Sequence, residues 1–219
     1  MTTVDESRAA HAAEADTAAA DAAAAAANPS LVGVPTFVIG SVALGLYLVG
    51  FTGETTTAAI GLLAILFACT ALGQWVACIW AIRAGAGPVA AIFGIFGGFW
   101  FSFPLLVVAM GNSWFGDATD PVVQTGAQET FLLTWLIGVI VLTLASLRLP
   151  SIFTALFVLV AVALLLVLLG TASGSTTLLF AGGIAVFAFA LIGVYLFFDA
   201  MSQAGGGKAL PMGKPLIGS

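Results

Sequence analysis

Apolar residues run along this chain in six long blocks, with the polar residues gathered between them. The blocks cover about 31–50, 58–82, 88–111, 128–148, 150–170 and 176–200. Each is long enough, at 1.5 Å per helical residue, to cross about 30 Å of hydrocarbon. None shows the alternation of a half-buried strand. The pattern therefore predicts an all-α integral membrane protein with six transmembrane helices. Arg148, Leu149 and Pro150 mark a very short gap between the fourth and fifth blocks. The longest gap, 112–127, holds Asn112, Gly116, Asp117, Asp120 and Pro121.

Flanking segments complete the organisation. Residues 1–27 are rich in alanine with scattered acids and read as a disordered cytoplasmic tail, since a basic leader segment is absent. Residues 28–203 are expected to form one six-helix transmembrane domain, and 204–219 read as a polar C-terminal cytoplasmic tail. Six crossings put both termini on one side. Arg8, Arg83, Arg148, Lys208 and Lys214 all fall on that side, whereas Glu54, Asp117 and Asp120 fall on the other. The positive-inside rule makes the basic side cytoplasmic, so a multi-pass plasma or inner membrane location is expected.

Composition supports this reading. Of 219 residues, 61% are hydrophobic and 7% charged, against about 25% charged in soluble domains. No Lys/Arg cluster suits nucleic acid. His11 is the sole histidine and lies in the tail, and no HExxH, GxSxG, Walker or CxxC pattern occurs. An enzyme, a cofactor and a metal site are not expected. Cys69 and Cys78 lie nine helical residues apart, roughly 13 Å, too far for a disulfide.

The polar residues within the spans limit the chemistry. No charge falls near mid-span. Glu129 stands where the fourth block begins, an acid favoured there by the helix dipole, and Asp199 where the sixth ends, as an interfacial anchor. This argues against a deep acidic relay and favours a path lined by neutral groups. Gln74 lies mid-span and must find a partner, either a neighbouring helix or a pore. Ser41, Tyr47, Ser102, Thr134, Thr143 and Thr154 are weaker candidates, because such hydroxyls often bond their own helix. Gly94 and Gly98 form a GxxxG pair, and with Gly40, Gly45, Gly50, Gly182 and Gly183 they predict close helix packing and oligomer contacts. The run Phe99, Trp100, Phe101, Phe103 is either a packing wedge or a hydrophobic constriction.

Further motifs carry a resemblance. Asn28-Pro29 opens NPSLVGVPTF; Leu72 to Phe103 reads LGQWVACIWAIRAGAGPVAAIFGIFGGFWFSF; the end reads KALPMG. Together these resemble the acetate uptake transporter family, which includes the succinate–acetate permeases, over roughly residues 28–213. The resemblance implies a hexamer of six-helix protomers, an architecture similar to the acid-activated urea channels. It implies proton-linked uptake of acetate and other short monocarboxylates, with succinate, lactate and propionate as further substrates. It also implies a constriction at Phe37, Phe96 and Val160. Two of these depart from the family pattern: Phe96 stands at a tyrosine position and Val160 at a leucine position. A wider, less polar constriction that tolerates propionate or lactate is therefore expected. Gln74 stands at the family's glutamine position, as a lining residue. Asn28 and Pro29 would form the substrate's entrance, where free helix N–H groups favour an anion; Ser41, Tyr47, Phe99 and Ser102 are further candidate lining residues. A short carboxylic acid has a pKa near 4–5 (roughly that of Asp and Glu) and could instead cross protonated. The expected partners are a small carboxylate, protons, lipid and further copies of this chain. The rival readings are a channel for small neutral solutes (urea, amides or ammonia) and a membrane scaffold without transport.

Overall fold

A computed structural model describes residues 8, 11–14, 16–17, 28–51, 56–114, 116 and 120–218, with no side chains for 56–60. Most of the 1–27 tail, together with Glu54 and Asp117, lies outside the described residues. Six helices among those described are long and apolar enough to cross a membrane. Helix α1 is Ser30–Leu48. Helix α2 runs through Thr56–Ile65, a π-helical stretch Leu66–Ala71, and Leu72–Arg83. Then follow α3 (Gly87–Gly111), α4 (Pro121–Ala145), α5 (Ser151–Ser173) and α6 (Thr176–Ala204).

The helix ends follow local chemistry. Asn28 Oδ1 accepts the Ser30 N–H at 2.9 Å and sets the start of α1. Asp120 caps α4 by accepting the Val122 N–H at 2.8 Å, with Pro121 in the first turn. This start lies seven residues before the predicted one. Glu129 therefore sits two turns inside α4, half-buried, and is not at a helix N-terminus. Gly174, at φ 65°, ends α5 in the left-handed conformation that glycine adopts without Cβ strain. Ser175 then caps α6 through the Leu178 N–H at 3.4 Å.

Packing arranges the helices as a ring. Helix α1 contacts α2 and α6, α5 contacts α4 and α6, and α2 contacts α3. Between α3 and α4 the backbones approach less closely, and aromatic rings close the ring there. Phe99 meets Trp135 edge-on at 5.4 Å and Phe131 at 6.0 Å, and Phe103 meets Phe131 at 6.0 Å. Close approach elsewhere needs the glycines. A Cβ on Gly40 would stand 2.3 Å from Thr70 Oγ1, and one on Gly73 2.4 Å from Thr36 Cγ2. The GxxxG pair serves two neighbours: Gly94 lies against Cys78 of α2 and Gly98 against Trp135 of α4. Both cysteines are free.

Less than half of the residues in each span are buried within the chain. Apolar side chains such as Ile79, Ile82, Val141, Leu144, Leu191 and Phe198 face outward. Together with the six spans, this makes the chain a multi-pass membrane protein whose outer face is covered by lipid or by other protein.

The segment after α6 is not a loose tail. The Leu210 N–H donates to Asp199 Oδ1 at 2.7 Å, and the Tyr195 hydroxyl donates to the Pro211 carbonyl at 2.8 Å. Ile152 N–H donates to Met212 O at 3.3 Å, and the N–H groups of Leu216 and Ile217 donate to Leu147 O at 3.0 and 3.1 Å. The segment thus crosses the ends of α6 and α5 and reaches the α4–α5 junction that carries Arg148.

Candidate functional site

A cavity of about 70 Å³ lies at the centre of the helix ring. On the same scale one water needs about 10–15 Å³, so the space suits a solute of a few heavy atoms. Every side chain lining it is apolar or aromatic, and the walls come from α1, α3, α4, α5 and α6. Helix α2 contributes none. Phe37, Phe96 and Val160 all line this cavity, although 123 residues separate the first from the last. Phe37 is the hub: its ring meets Phe96 edge-on at 5.2 Å, Phe189 at 5.6 Å and Trp100 at 6.1 Å. Phe96 stacks on Phe157 at 6.0 Å. Gly193 allows α6 to approach α1 here, since a Cβ on it would stand 2.8 Å from Val38 Cγ2, with Phe37 Cδ1 next at 3.4 Å.

Other sequence candidates fall in varied places. Phe99 lines the central cavity. Gln74 is fully buried but is not among its lining residues. Its Nε2 donates to the Gly33 carbonyl at 2.5 Å, with Thr36 Oγ1 at 3.4 Å. Of the two roles open to it, the geometry gives Gln74 that of a tie between α2 and α1. Ser41 is also fully buried, and its hydroxyl donates to its own helix at Phe37 O, 2.7 Å away. Ser102 does the same toward Phe99 O at 3.3 Å. Tyr47 is 44% exposed and stands outside the cavity wall. For Ser41 and Ser102, the helix carbonyl four or three residues back serves as the acceptor.

Asn28 lines a second cavity, of about 210 Å³, at the end of the bundle where α1 begins. Ser30, Val34, Phe153, Leu196 and Met212 share it, and so does Asp199. Pro29 is buried beside it in the sequence. Asp199 is not an exposed anchor: it is 8% accessible, with Oδ1 on Leu210 N–H and Oδ2 on Gln203 Nε2 at 2.7 Å. A carboxyl group thus occupies the space in which the start of α1 was expected to attract an anion. The sequence reading missed this because α6 extends four residues beyond its predicted end, which carries Asp199 a full turn inside the helix. Trp100, 1% exposed and lining the central cavity, was also not singled out from its aromatic run. The signal available was an indole donor placed four residues after Phe96.

These features define a class: multi-pass membrane proteins whose helix ring surrounds a small apolar cavity, with a second chamber at one end that holds Asn28, Ser30 and Asp199. The profile of the GPR1/FUN34/yaaH family matches residues 12–206, and the chain belongs to that family. The match starts at residue 12, ahead of the 28–213 stretch over which the resemblance was read. A solved structure described as that of the bacterial acetate channel SatP is similar in fold, with a TM-score of 0.71 and 19% identity. The similarity covers 85% of this chain and 98% of that one. No curated protein matches.

Proposed function

We propose that the protein conducts acetate and similar short monocarboxylic acids across the membrane, through the central cavity between Phe37, Phe96 and Val160. The observation that carries the reading is the convergence of these three residues, from α1, α3 and α5, on one small apolar cavity. Family membership and a fold shared with a protein described as an acetate channel support it.

The physics of the constriction selects the neutral acid. Moving an unpaired carboxylate into an apolar site costs many kcal/mol, and such a group neutralises instead. Phe96 brings no hydroxyl, and Val160 is shorter than leucine, so the passage is apolar and somewhat open. Propionate and lactate are accepted along with acetate, and succinate is a further substrate. Uptake is proton-linked in the sense that a proton accompanies each acid through the constriction. Solute enters from the chamber at Asn28 and Pro29, where the Asp199 carboxyl disfavours a neighbouring anion. The termini face the cytoplasm of a plasma or inner membrane, and the outward apolar faces assemble the chain into a hexamer.

Uptake of labelled acetate into proteoliposomes tests the reading, with and without an inward proton gradient and after subtraction of empty vesicles. Saturable uptake raised by the gradient and competed by propionate but not urea is expected. No uptake above empty vesicles from folded protein sinks it. A second reading, a channel for small neutral solutes, is favoured by the uncharged cavity wall; saturable urea flux indifferent to acetate would establish it instead.

A further inference from the structure

The chamber at the start of α1 and the central cavity are walled by the same faces of α1, α5 and α6. Val34 lies one turn before Phe37, Phe153 two turns before Val160, and Leu196 two turns after Phe189; the first of each pair lines the chamber and the second the cavity. Residues three or seven apart stand on one side of a helix. At 1.5 Å per residue, the paired walls are about 5–10 Å apart along the bundle. The two spaces are therefore successive stations on one line between α1, α5 and α6.

One wall of the chamber comes from no helix. Met212 belongs to the segment after α6 and lines the chamber. Among the described residues of that segment, it is the one that packs against the apolar core. Its backbone is held from two sides. The Pro211 carbonyl accepts the Tyr195 hydroxyl of α6 at 2.8 Å, and the Met212 carbonyl accepts the Ile152 N–H of α5 at 3.3 Å. Asp199 fixes Leu210 just before them. Gly213 follows at φ 75°, and a Cβ there would collide with Ser151 Oγ, so the chain turns flush against the start of α5. The segment is thus a strap from α6 to α5 that turns one thioether into the chamber. Methionine suits a movable wall, because its three rotatable bonds let it fill an irregular space and leave it without breaking a polar contact.

We propose that Met212 is a second gate on the solute's path, a plug that the strap holds in the end chamber. The inference rests on the transport reading and adds a gate to it. Phe37, Phe96 and Val160 sort acids by size and polarity. Met212 sets how often the chamber opens to water. With its side chain inward the line ends on the thioether; with it outward an acid passes between the chamber and solution. Removing the side chain therefore raises the maximal rate and leaves the preference among acids to the central ring.

Thiol labelling tests the gate without flux. Cys69 and Cys78, both free, are first replaced by alanine. Val34→Cys then puts a thiol on the chamber wall, and Leu48→Cys puts one on the central cavity's wall at the far end of α1. The probe is a trimethylammonium methanethiosulfonate, too polar to arrive through lipid, added to nanodiscs in which both ends of the bundle meet water. Adding Met212→Ala should speed labelling of Val34→Cys about tenfold, the equivalent of about 1.4 kcal/mol, and leave that of Leu48→Cys unchanged. An unchanged rate at Val34→Cys overturns the proposal. So does an equal rise at both positions, which is a loosened bundle and not an opened gate. In proteoliposomes, Met212→Ala should raise maximal acetate uptake per folded protein and keep the wild-type ratio of propionate to acetate; an unchanged maximal rate overturns the gate. If wild-type vesicles take up no acetate, the transport reading falls, and the labelling still decides whether Met212 closes the chamber.

Discussion

Asp199 Oδ1 accepts the Leu210 backbone N–H at 2.7 Å, tying the last helix to the chain that follows it across the end of the bundle. The same carboxyl accepts Gln203 Nε2 and lines the chamber at the start of α1. The segment this carboxyl helps to hold also carries Met212, another wall of that chamber.

Removing this acceptor should loosen the C-terminal segment. Asp199→Ala leaves the Leu210 N–H without its charged partner, a loss of about 1.5–3 kcal/mol. The expected outcome is faster trypsin cleavage after Lys208 in intact protein, with the six spans still folded. Cleavage at the wild-type rate would show that the other contacts, such as Tyr195 to Pro211, hold the segment unaided.

Gln74 separates structure from transport. Gln74→Met keeps the volume and removes the bond to Gly33 O, and interhelical polar contacts in membranes contribute about 1–2 kcal/mol. Thermal stability in detergent should fall, while acetate uptake per folded protein stays within about twofold, because α2 does not line the central cavity. A loss of uptake in fully folded protein would return Gln74 to the solute's path.

Val160 and Phe37 should act in opposite directions. Val160→Leu adds a methylene to the cavity wall and should lower propionate uptake relative to acetate. Phe37→Ala removes the ring that meets Phe96, Trp100 and Phe189, costs about 3–5 kcal/mol of stability, and should raise uptake of larger acids such as succinate relative to acetate. Competition series with acids of rising length check both. An unchanged acid preference in both variants places the selective step elsewhere.

Gly40 is a contact position. Its Cβ would lie 2.3 Å from Thr70 Oγ1 and 2.6 Å from Thr70 Cγ2, so Gly40→Ala should destabilise by about 1–3 kcal/mol. Thr70→Ala removes both of those atoms and should restore part of the loss in the double variant. A double-mutant cycle in detergent melting temperature measures it. Strictly additive effects would mean that α1 and α2 relax apart independently of Thr70.

The number and approximate position of the spans were legible in the sequence, because hydrocarbon demands about 20 apolar residues for each crossing. The family resemblance pointed to Phe37, Phe96 and Val160, and the fold brings these three to the wall of one cavity. Tertiary structure alone decided what these residues meet. A membrane helix is apolar on every face, so its sequence does not say which face turns inward. The ring order put α2 outside the cavity wall, which made Gln74 a tie to Gly33. The Asp120–Pro121 cap moved the start of α4 and carried Glu129 inside the helix. The four extra residues of α6 let Asp199 turn inward, where Leu210, eleven positions on, comes back to meet it. Trp100 became part of the central cavity's wall only when five helices closed around it. Local composition fixes how long each span is; which of its faces meets a cavity depends on which neighbours the fold brings to it.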